Sequence, residues 1–386
     1  MTAIEQIGTQ CTGCGACVAI CPVSALTMVQ DAEGFFYPHV DKDRCTDCGL
    51  CTRSCPVANP SVLVRNPLPE QALAGSLKDR NRLAQSASGG AFVALVAALA
   101  PDVVYGAAWE SPYSVAHIRT TPEQLDALKG SKYIQSQTWQ IFSQVREDLK
   151  AGKQVLFSGT PCQIAGLQAF LGSQSQPNLT TVELICHGVA SPGLFHAYLK
   201  YLEKKTGTEI EKVNFREKNN RLGSWEAFQT VLVDQKGDCS RSQHNSFTWQ
   251  FLHRTISRQC CACCPYASAQ RVADFVIGDY WGCSQRNPEL YDRLGVSLLF
   301  PVTPKGAALA QKLSLYMKLA KIPTSNAIPG NRALREASPH APVRDAFFAL
   351  VASSGVGTAL KVYTPTLTWK QKLKPYLRPF LRQLRG

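Results

Sequence analysis

Two cysteine runs of the same form open the chain: Cys11, Cys14, Cys17 and Cys21 before Pro22, then Cys45, Cys48, Cys51 and Cys55 before Pro56. No other feature constrains the fold as strongly. Three cysteines at steps of three wrap a tight loop around one corner of a cubane. The fourth lies beyond that loop, at a turn fixed by the proline, and in a tandem pair it reaches the other cluster. The spacing therefore predicts two [4Fe–4S] clusters. One falls to Cys11, Cys14, Cys17 and Cys55, the other to Cys45, Cys48, Cys51 and Cys21. Gly13 and Gly49 stand where the backbone passes close to inorganic sulfide and a Cβ would intrude. The alternatives are two structural zinc ribbons or a disulfide framework. Zinc sites use paired Cys-x2-Cys knuckles, without the longer run and its trailing proline.

A chain of 386 residues can bury at least one substantial core and is expected to form two or three domains. Residues 1–10 carry no basic start and no apolar stretch, so no export signal is read there. The longest apolar run, Ala91 to Ala100, is ten residues, too short to cross a bilayer. Sixteen cysteines in such a chain point to metal ligation in a reducing cytoplasm. The net charge of +13 is uneven, because residues 1–60 sum to −3 from six acids and three bases. Six cations, Lys370, Lys372, Lys374, Arg378, Arg382 and Arg385, lie in the tail, with no acid after Asp345. No nucleic-acid-binding signature accompanies the charge, so nucleic acid is not expected as a partner.

Residues 1–60 read as the α+β cluster module and 61–70, rich in Pro and Asn nearby, as a linker. From there strand-like and helix-like runs alternate, which predicts an α/β domain with parts over 71–160 and 161–330. Strands are read at Val103–Ala108, Val115–Arg119, Gln154–Phe157, Thr181–Ile185, Glu211–Glu217, Phe228–Val233 and Phe275–Gly278. Helices are read at Ser86–Ala100, Pro122–Leu128, Trp139–Leu149, from Pro161, and at Pro192–Lys205, the last capped by Ser191 and stopped by Gly207. Two later helices, near Lys305–Lys321 and Val343–Ser353, are expected outside the core. Residues 331–386 read as a helical extension ending in the basic tail.

Several constellations could carry chemistry. Ser88-Gly89-Gly90 precedes an apolar helix, where bare amides would cradle a phosphate or simply cap and pack. Gly159-Thr160-Pro161-Cys162-Gln163 turns from a strand into a helix, at the end of a strand where α/β folds place ligands. It is a second candidate anion-binding helix start. Cys162 could be a redox thiol, a ligand or a small buried residue. His187, in Cys186-His187-Gly188, is either catalytic and cofactor-facing or structural. Ser131, Lys132 and Tyr133 form a candidate clamp or a solvated loop. Cys260-Cys261-Ala262-Cys263-Cys264 is too dense to be a surface accident. Cys261 and Cys264 form its Cys-x2-Cys pair, with Cys162, Cys186 or Cys283 as further candidate ligands. The tail places Trp369, Leu373, Tyr376, Leu377, Phe380 and Leu384 among its cations, broken by Pro375 and Pro379. That pattern suits either peripheral contact with an anionic inner membrane face or a disordered end.

Together these motifs resemble the coenzyme F420 hydrogenase/dehydrogenase beta-subunit family, in its bacterial branch with a fused two-cluster ferredoxin module. That branch is associated with surface-polysaccharide biosynthesis. The resemblance covers residues 1 to 305. It rests on the cysteine runs, Ser88-Gly89-Gly90, residues 131–136, Gly159-Thr160-Pro161-Cys162-Gln163-Ile164, Cys186-His187-Gly188-Val189, Phe215-Arg216-Glu217-Lys218 and Gly278-Asp279-Tyr280-Trp281-Gly282. It implies an α+β ferredoxin-like module followed by an α/β flavin-binding domain. It also implies FAD held by Ser88, Gly89, Gly90, Ser131, Lys132, Tyr133, Gly159, Thr160, Pro161, Gln163 and His187, with His187 and Lys132 as catalytic candidates. Two departures are the doubled cysteine block and Cys283, which leave open a third iron–sulfur centre near Cys261 and Cys264.

Clusters pass single electrons, whereas saturating an organic bond takes two with protons, and a flavin can join the two regimes. The expectation is a cytoplasmic iron–sulfur flavoprotein oxidoreductase. It would take electrons from a ferredoxin-like redox partner and reduce a small molecule. The alternatives are a non-catalytic electron-transfer subunit of a larger dehydrogenase or hydrogenase complex, and an F420-dependent reductase.

Overall fold

The computed structural model describes residues 4–172, 176–218, 225–242 and 245–365. The basic tail, with its aromatic residues and six cations, lies outside the described residues.

In the N-terminal module each cysteine loop closes onto a short helix, Ala16–Ile20 and Leu50–Arg53. Both helices start from a left-handed glycine, Gly15 at φ 77° and Gly49 at φ 69°. An antiparallel hairpin, Leu26–Gln30 with Phe36–Val40, lies between the two loops in sequence. Its Leu26 and Val40 pack with Ile4 and the cysteines in one small core.

The larger body is built on one sheet of eight strands: β1 Gln71–Leu77, β2 Val103–Ser111, β3 Ser114–Thr120, β4 Val155–Gly159, β5 Leu179–Leu184, β6 Phe275–Asp279, β7 Ser297–Pro301 and β8 Met317–Pro323. Their spatial order is β8-β1-β7-β6-β5-β4-β2-β3. The four central strands β6, β5, β4 and β2 run parallel and the flanking ones antiparallel. Side chains alternate between two faces, as the pleat requires. Val103, Tyr105, Val155 and Phe157 face helices α2 (Phe142–Lys150) and α3 (Pro161–Leu171). Val104, Ala108 and Leu156 face the other side, against α1 (Ala91–Leu99).

A second unit, centred on helices α4 (Pro192–Thr206), α5 (Ser246–Leu252) and α6 (Arg344–Tyr363), shares one aromatic core with a three-stranded sheet. That sheet comprises Ile210–Glu217, Gln229–Asp234 and Cys239–Ser242.

Several expectations are corrected. The helix read over Ser86–Ala100 begins only at Ala91, because Ser88-Gly89-Gly90 precedes it in a turn with Gly90 left-handed at φ 82°; a separate short helix, Arg80–Gln85, lies before that turn. The helix read to Lys321 ends at Ala310, and Met317–Pro323 instead pairs along all of β1 as the edge strand β8. Met317 and Ile322 point into opposite cores, the mark of a pleat. Helix α6 is not outside the core: Phe347, Phe348, Val356, Ala359 and Leu360 are buried against the second unit. It is twenty residues long, kinked at Gly355, and the only one among the described residues long and apolar enough to cross a membrane by length and composition. The segment read as a linker carries a short strand, Asn66–Pro67, paired with Gln270–Arg271.

Candidate functional site

The N-terminal cysteines come together in the predicted grouping for the first set. Cys11, Cys14, Cys17 and Cys55 line one small cavity, walled by Ile4, Met28 and Pro38. Burial pushes the Cys14 thiol up to about 12, with Cys11 and Cys55 adding to the rise. The site therefore disfavours bare thiolates and accepts them only with a cationic partner such as iron. Cys21, Cys45 and Cys51 pack at the edge of the same core, while Cys48 is exposed. The second set thus lies nearer solvent than the first.

The first loop is clamped onto the large body. Arg258, fully buried, donates to Cys11 O at 2.7 Å, Gln135 Oε1 at 3.0 Å and Phe36 O at 2.8 Å. Gln135 in turn donates to Thr12 O at 2.9 Å, and Thr138 to Cys14 O at 2.7 Å. Cys14 lies on α3 where that helix has Gly166. A Cβ at Gly166 would sit 2.7 Å from Cys14 Cβ.

Gly166 is one turn beyond Cys162, about 6 Å along the helix. Cys162 meets a second group of cysteines. Burial pushes its thiol well up, and Cys264, Cys186 and Cys261 are the neighbours that add to this. Burial likewise raises Cys186 to about 12, again with Cys261 and Cys264 nearby. Cys261 is instead held low, by a hydrogen bond from Cys260 and by the Val189 N–H. So Cys162, Cys186, Cys261 and Cys264 gather from three separate stretches of chain. Cys283 does not join them: it is buried in another cluster with Tyr280, its Sγ donating to Asn287 O at 3.5 Å. Cys263 is exposed. Among the described residues no three His, Cys, Asp or Glu side chains converge tightly enough for a single metal ion.

The loop after Cys264 is anchored by a buried ion pair between Arg271 and Glu183 of β5. Arg271 also donates to Tyr266 O at 3.0 Å and Ser268 O at 2.9 Å.

Beside this group, at the carboxyl ends of β4, β5 and β6, lies a cavity of about 730 Å³. Its walls include Ser88, Gly90, Ser131, Lys132, Tyr133, Gly159, Thr160, Gln163 and His187. The two remaining cofactor candidates stand behind the wall. Gly89 packs so closely that a Cβ would lie 2.4 Å from Gly75 O and Ser297 N, and Pro161 is buried at the start of α3. Cys186 also lines the cavity, and Thr160 Oγ1 lies 3.2 Å from Cys162 Sγ. The second cysteine group therefore borders the cavity directly.

The two helix starts differ. That of α3 is closed by its own capping box: Gln163 Oε1 accepts from Thr160 N–H at 2.9 Å, while Thr160 caps the Gln163 N–H. It is not the second anion-binding start expected. The start of α1 has no side-chain cap, because its N-cap residue is Gly90, and the nearby Ser88 Oγ donates to Val296 O at 3.1 Å. Its free N–H groups and positive dipole end adjoin the cavity, with Gly90 and Ala91 on the wall. Lys218 secures that turn through Leu83 O at 2.7 Å and Ser88 O at 2.9 Å. The open helix start, the glycines and the cavity fit a phosphate-bearing cofactor.

His187 is packed on Phe251 with ring centroids 4.8 Å apart, and burial lowers it to about 4, helped by Arg254. Tyr133 stacks on the same ring at 4.6 Å. The Lys132 ammonium is engaged by carbonyls, Lys129 O at 2.8 Å and Leu128 O at 3.1 Å, and burial lowers it to about 8. It ties off the turn Pro122–Leu128 rather than reaching freely into the cavity.

His117 was not read from the sequence as part of the site. It lines the cavity, fully buried on β3, with Nδ1 2.8 Å from Ser136 Oγ and Nε2 donating to Ser158 O at 2.9 Å. A polar residue in the buried phase of a strand was its only signal. Arg254 and Arg258, on the far side of the chain from the motifs, had none.

Comparison with known proteins agrees with this geometry. Residues 152–325 match the family described as the C terminus of the coenzyme F420 hydrogenase/dehydrogenase beta subunit. Residues 10–59 match a 4Fe-4S dicluster domain. No curated protein matches the chain. Among solved structures, a chain of the xenon-derivatised F420-reducing [NiFe] hydrogenase complex from Methanosarcina barkeri is similar at 18% identity. The match covers 77% of this chain and 91% of that one, with a TM-score of 0.47. One chain thus carries a 4Fe-4S dicluster module followed by a domain, residues 152–325, that matches the C terminus of the coenzyme F420 hydrogenase/dehydrogenase beta subunit.

Proposed function

We propose that the protein is an iron–sulfur flavoprotein oxidoreductase. In this reading it carries electrons from a ferredoxin-like donor through its N-terminal clusters to FAD in the cavity, and on to a small molecule. The polysaccharide-related role implied by the resemblance remains the favoured setting for that molecule. The observation that carries the reading is spatial: the cavity with the open start of α1 borders Cys186, and the Cys162 helix touches the first cluster loop at Gly166.

The residues divide the work. The exposed Cys48 side receives a docked donor, and the buried set passes inward. Cys162, Cys186, Cys261 and Cys264 would hold a third [4Fe–4S] cluster, spanning the gap between Cys14 and the cavity. Ala91 and Gly90 amides would hold the cofactor's phosphates, and Tyr133, His187 and Phe251 would form an apolar wall beside the reacting ring. A bound flavin collects single electrons and delivers them in pairs. Near neutral pH His187 is uncharged, and it would place a polar N–H or lone pair at the reacting face.

The test is anaerobic measurement of iron, acid-labile sulfide and released flavin per chain, in the wild type and in Cys186→Ser. About twelve irons and one flavin are expected, falling to about eight irons in the variant. Iron without flavin would overturn the flavoenzyme reading. About eight irons in both proteins would remove the third cluster.

A further inference from the structure

Part of the cavity wall is lined by guanidinium groups. There Arg216, Arg254 and Arg332 line the wall with His187, Asp279 and Glu226. Arg216 reaches up from the small sheet and gives one N–H to Asp279 Oδ2 at 2.5 Å. Its Nε and Nη2 have no hydrogen-bond partner, although the residue is only 7% exposed. Phe228 and Trp281 hold its guanidinium plane, with ring centroids 4.7 and 5.4 Å from Cζ. Arg254 follows α5 in the left-handed region at φ 61°, which is unfavourable for a non-glycine residue. Its Nε is also buried without a partner. Arg332 adds a third guanidinium close enough to Arg254, together with burial, to lower the Arg254 pKa. Its own Nε pairs with Glu336 at 3.2 Å.

Buried cationic donors without acceptors are costly. Backbone strain that the surroundings maintain is found where a side chain must be aimed. Asp279 answers one donor only. A bound anion would supply the missing acceptors, since a guanidinium fork matches a planar carboxylate or a phosphate. We propose that this stretch of the cavity wall seats an anionic group, carboxylate or phosphate, on the small molecule the site reduces. Arg254 and Arg332 hold it over the free N–H groups of Arg216. The inference rests on the reading of the cavity as a flavin-dependent reduction site.

The experiment uses the anaerobically purified full chain with its clusters and flavin. Inorganic phosphate and succinate are titrated by calorimetry while flavin and iron per chain are measured in parallel. The wild type should bind one of these anions, and Arg254→Gln and Arg332→Gln should each weaken it about tenfold with flavin and iron unchanged. Both replaced side chains are partly exposed, so the fold is expected to survive. Binding of neither anion, or wild-type affinity in both variants, would overturn the proposal. Loss of flavin in the variants would also overturn it, since the corner would then hold the cofactor. A wild type that lacks flavin yet binds phosphate through Arg254 would keep the anion site and remove the flavin reading.

Discussion

His117 shows how burial sets a side chain's chemistry. Both ring nitrogens are engaged, by Ser136 and Ser158, and the ring stacks on Phe157 at 5.2 Å. Burial lowers it from 6.5 to about 4, so the folded protein holds the neutral ring. Protonation therefore favours the unfolded chain. The contribution of His117 is complete above about pH 6.5 and falls as pH drops towards about 4. The loss is roughly 1.4 kcal/mol per pH unit inside that window. Melting temperature against pH should fall less steeply across the window in His117→Gln than in the wild type. Parallel curves would show that the histidine does not titrate in this way.

At the scale of elements, α1 and α3 look alike in sequence, each an apolar helix that opens after a turn of small residues. Their starts differ because Gln163 returns to its own cap at Thr160, whereas the cap position of α1 is Gly90, which has no side chain to offer. Helix α3 has a second duty at Gly166, against which the first cluster loop closes. An alanine there would ordinarily favour the helix by about 1 kcal/mol. Here its Cβ would meet Cys14 Cβ at 2.7 Å and Sγ at 2.9 Å. Gly166→Ala is therefore expected to lower the iron retained per chain and to alter the spectrum of the reduced clusters. Full iron with raised stability would show that the loop can yield without cost.

Over the whole molecule, the cluster module is stitched to the large body rather than tethered to it. Arg258 bonds the first cluster loop and the hairpin at once, and Arg344 on α6 pairs with Glu33 at 2.7 Å. Gly34 and Gly193 meet so closely that a Cβ on either would lie 2.7 Å from the other's Cα. This rigid seam keeps the two cysteine groups in register through α3. Arg258→Met should cost about 3–5 kcal/mol, since it leaves buried acceptors unpaired. Denaturant unfolding and iron per chain would check it, with a lowered midpoint and loss of iron expected together. An unchanged midpoint would mean the seam is held elsewhere.

The first cluster set, most of the parallel strands and the helix starts at Pro122, Pro161 and Pro192 were legible in the sequence. Each depends on short-range geometry: cysteines a few residues apart in one loop, period-two burial, a proline at the first helical turn. The cofactor candidates were legible as motifs at strand ends, where an α/β sheet opens. What joined them was not. Cys162, Cys186, Cys261 and Cys264 come from distant stretches, and only the sheet order β6-β5-β4 makes them neighbours while leaving Cys283 behind. The edge strand β8 and the burial of α6 likewise depend on partners far along the chain. Arg254 and Arg258 are ordinary cations in sequence, and Arg216 stands in a motif that gives it no role. Their meaning comes from which donors the fold satisfies and which it leaves free, a long-range property that only tertiary packing decides.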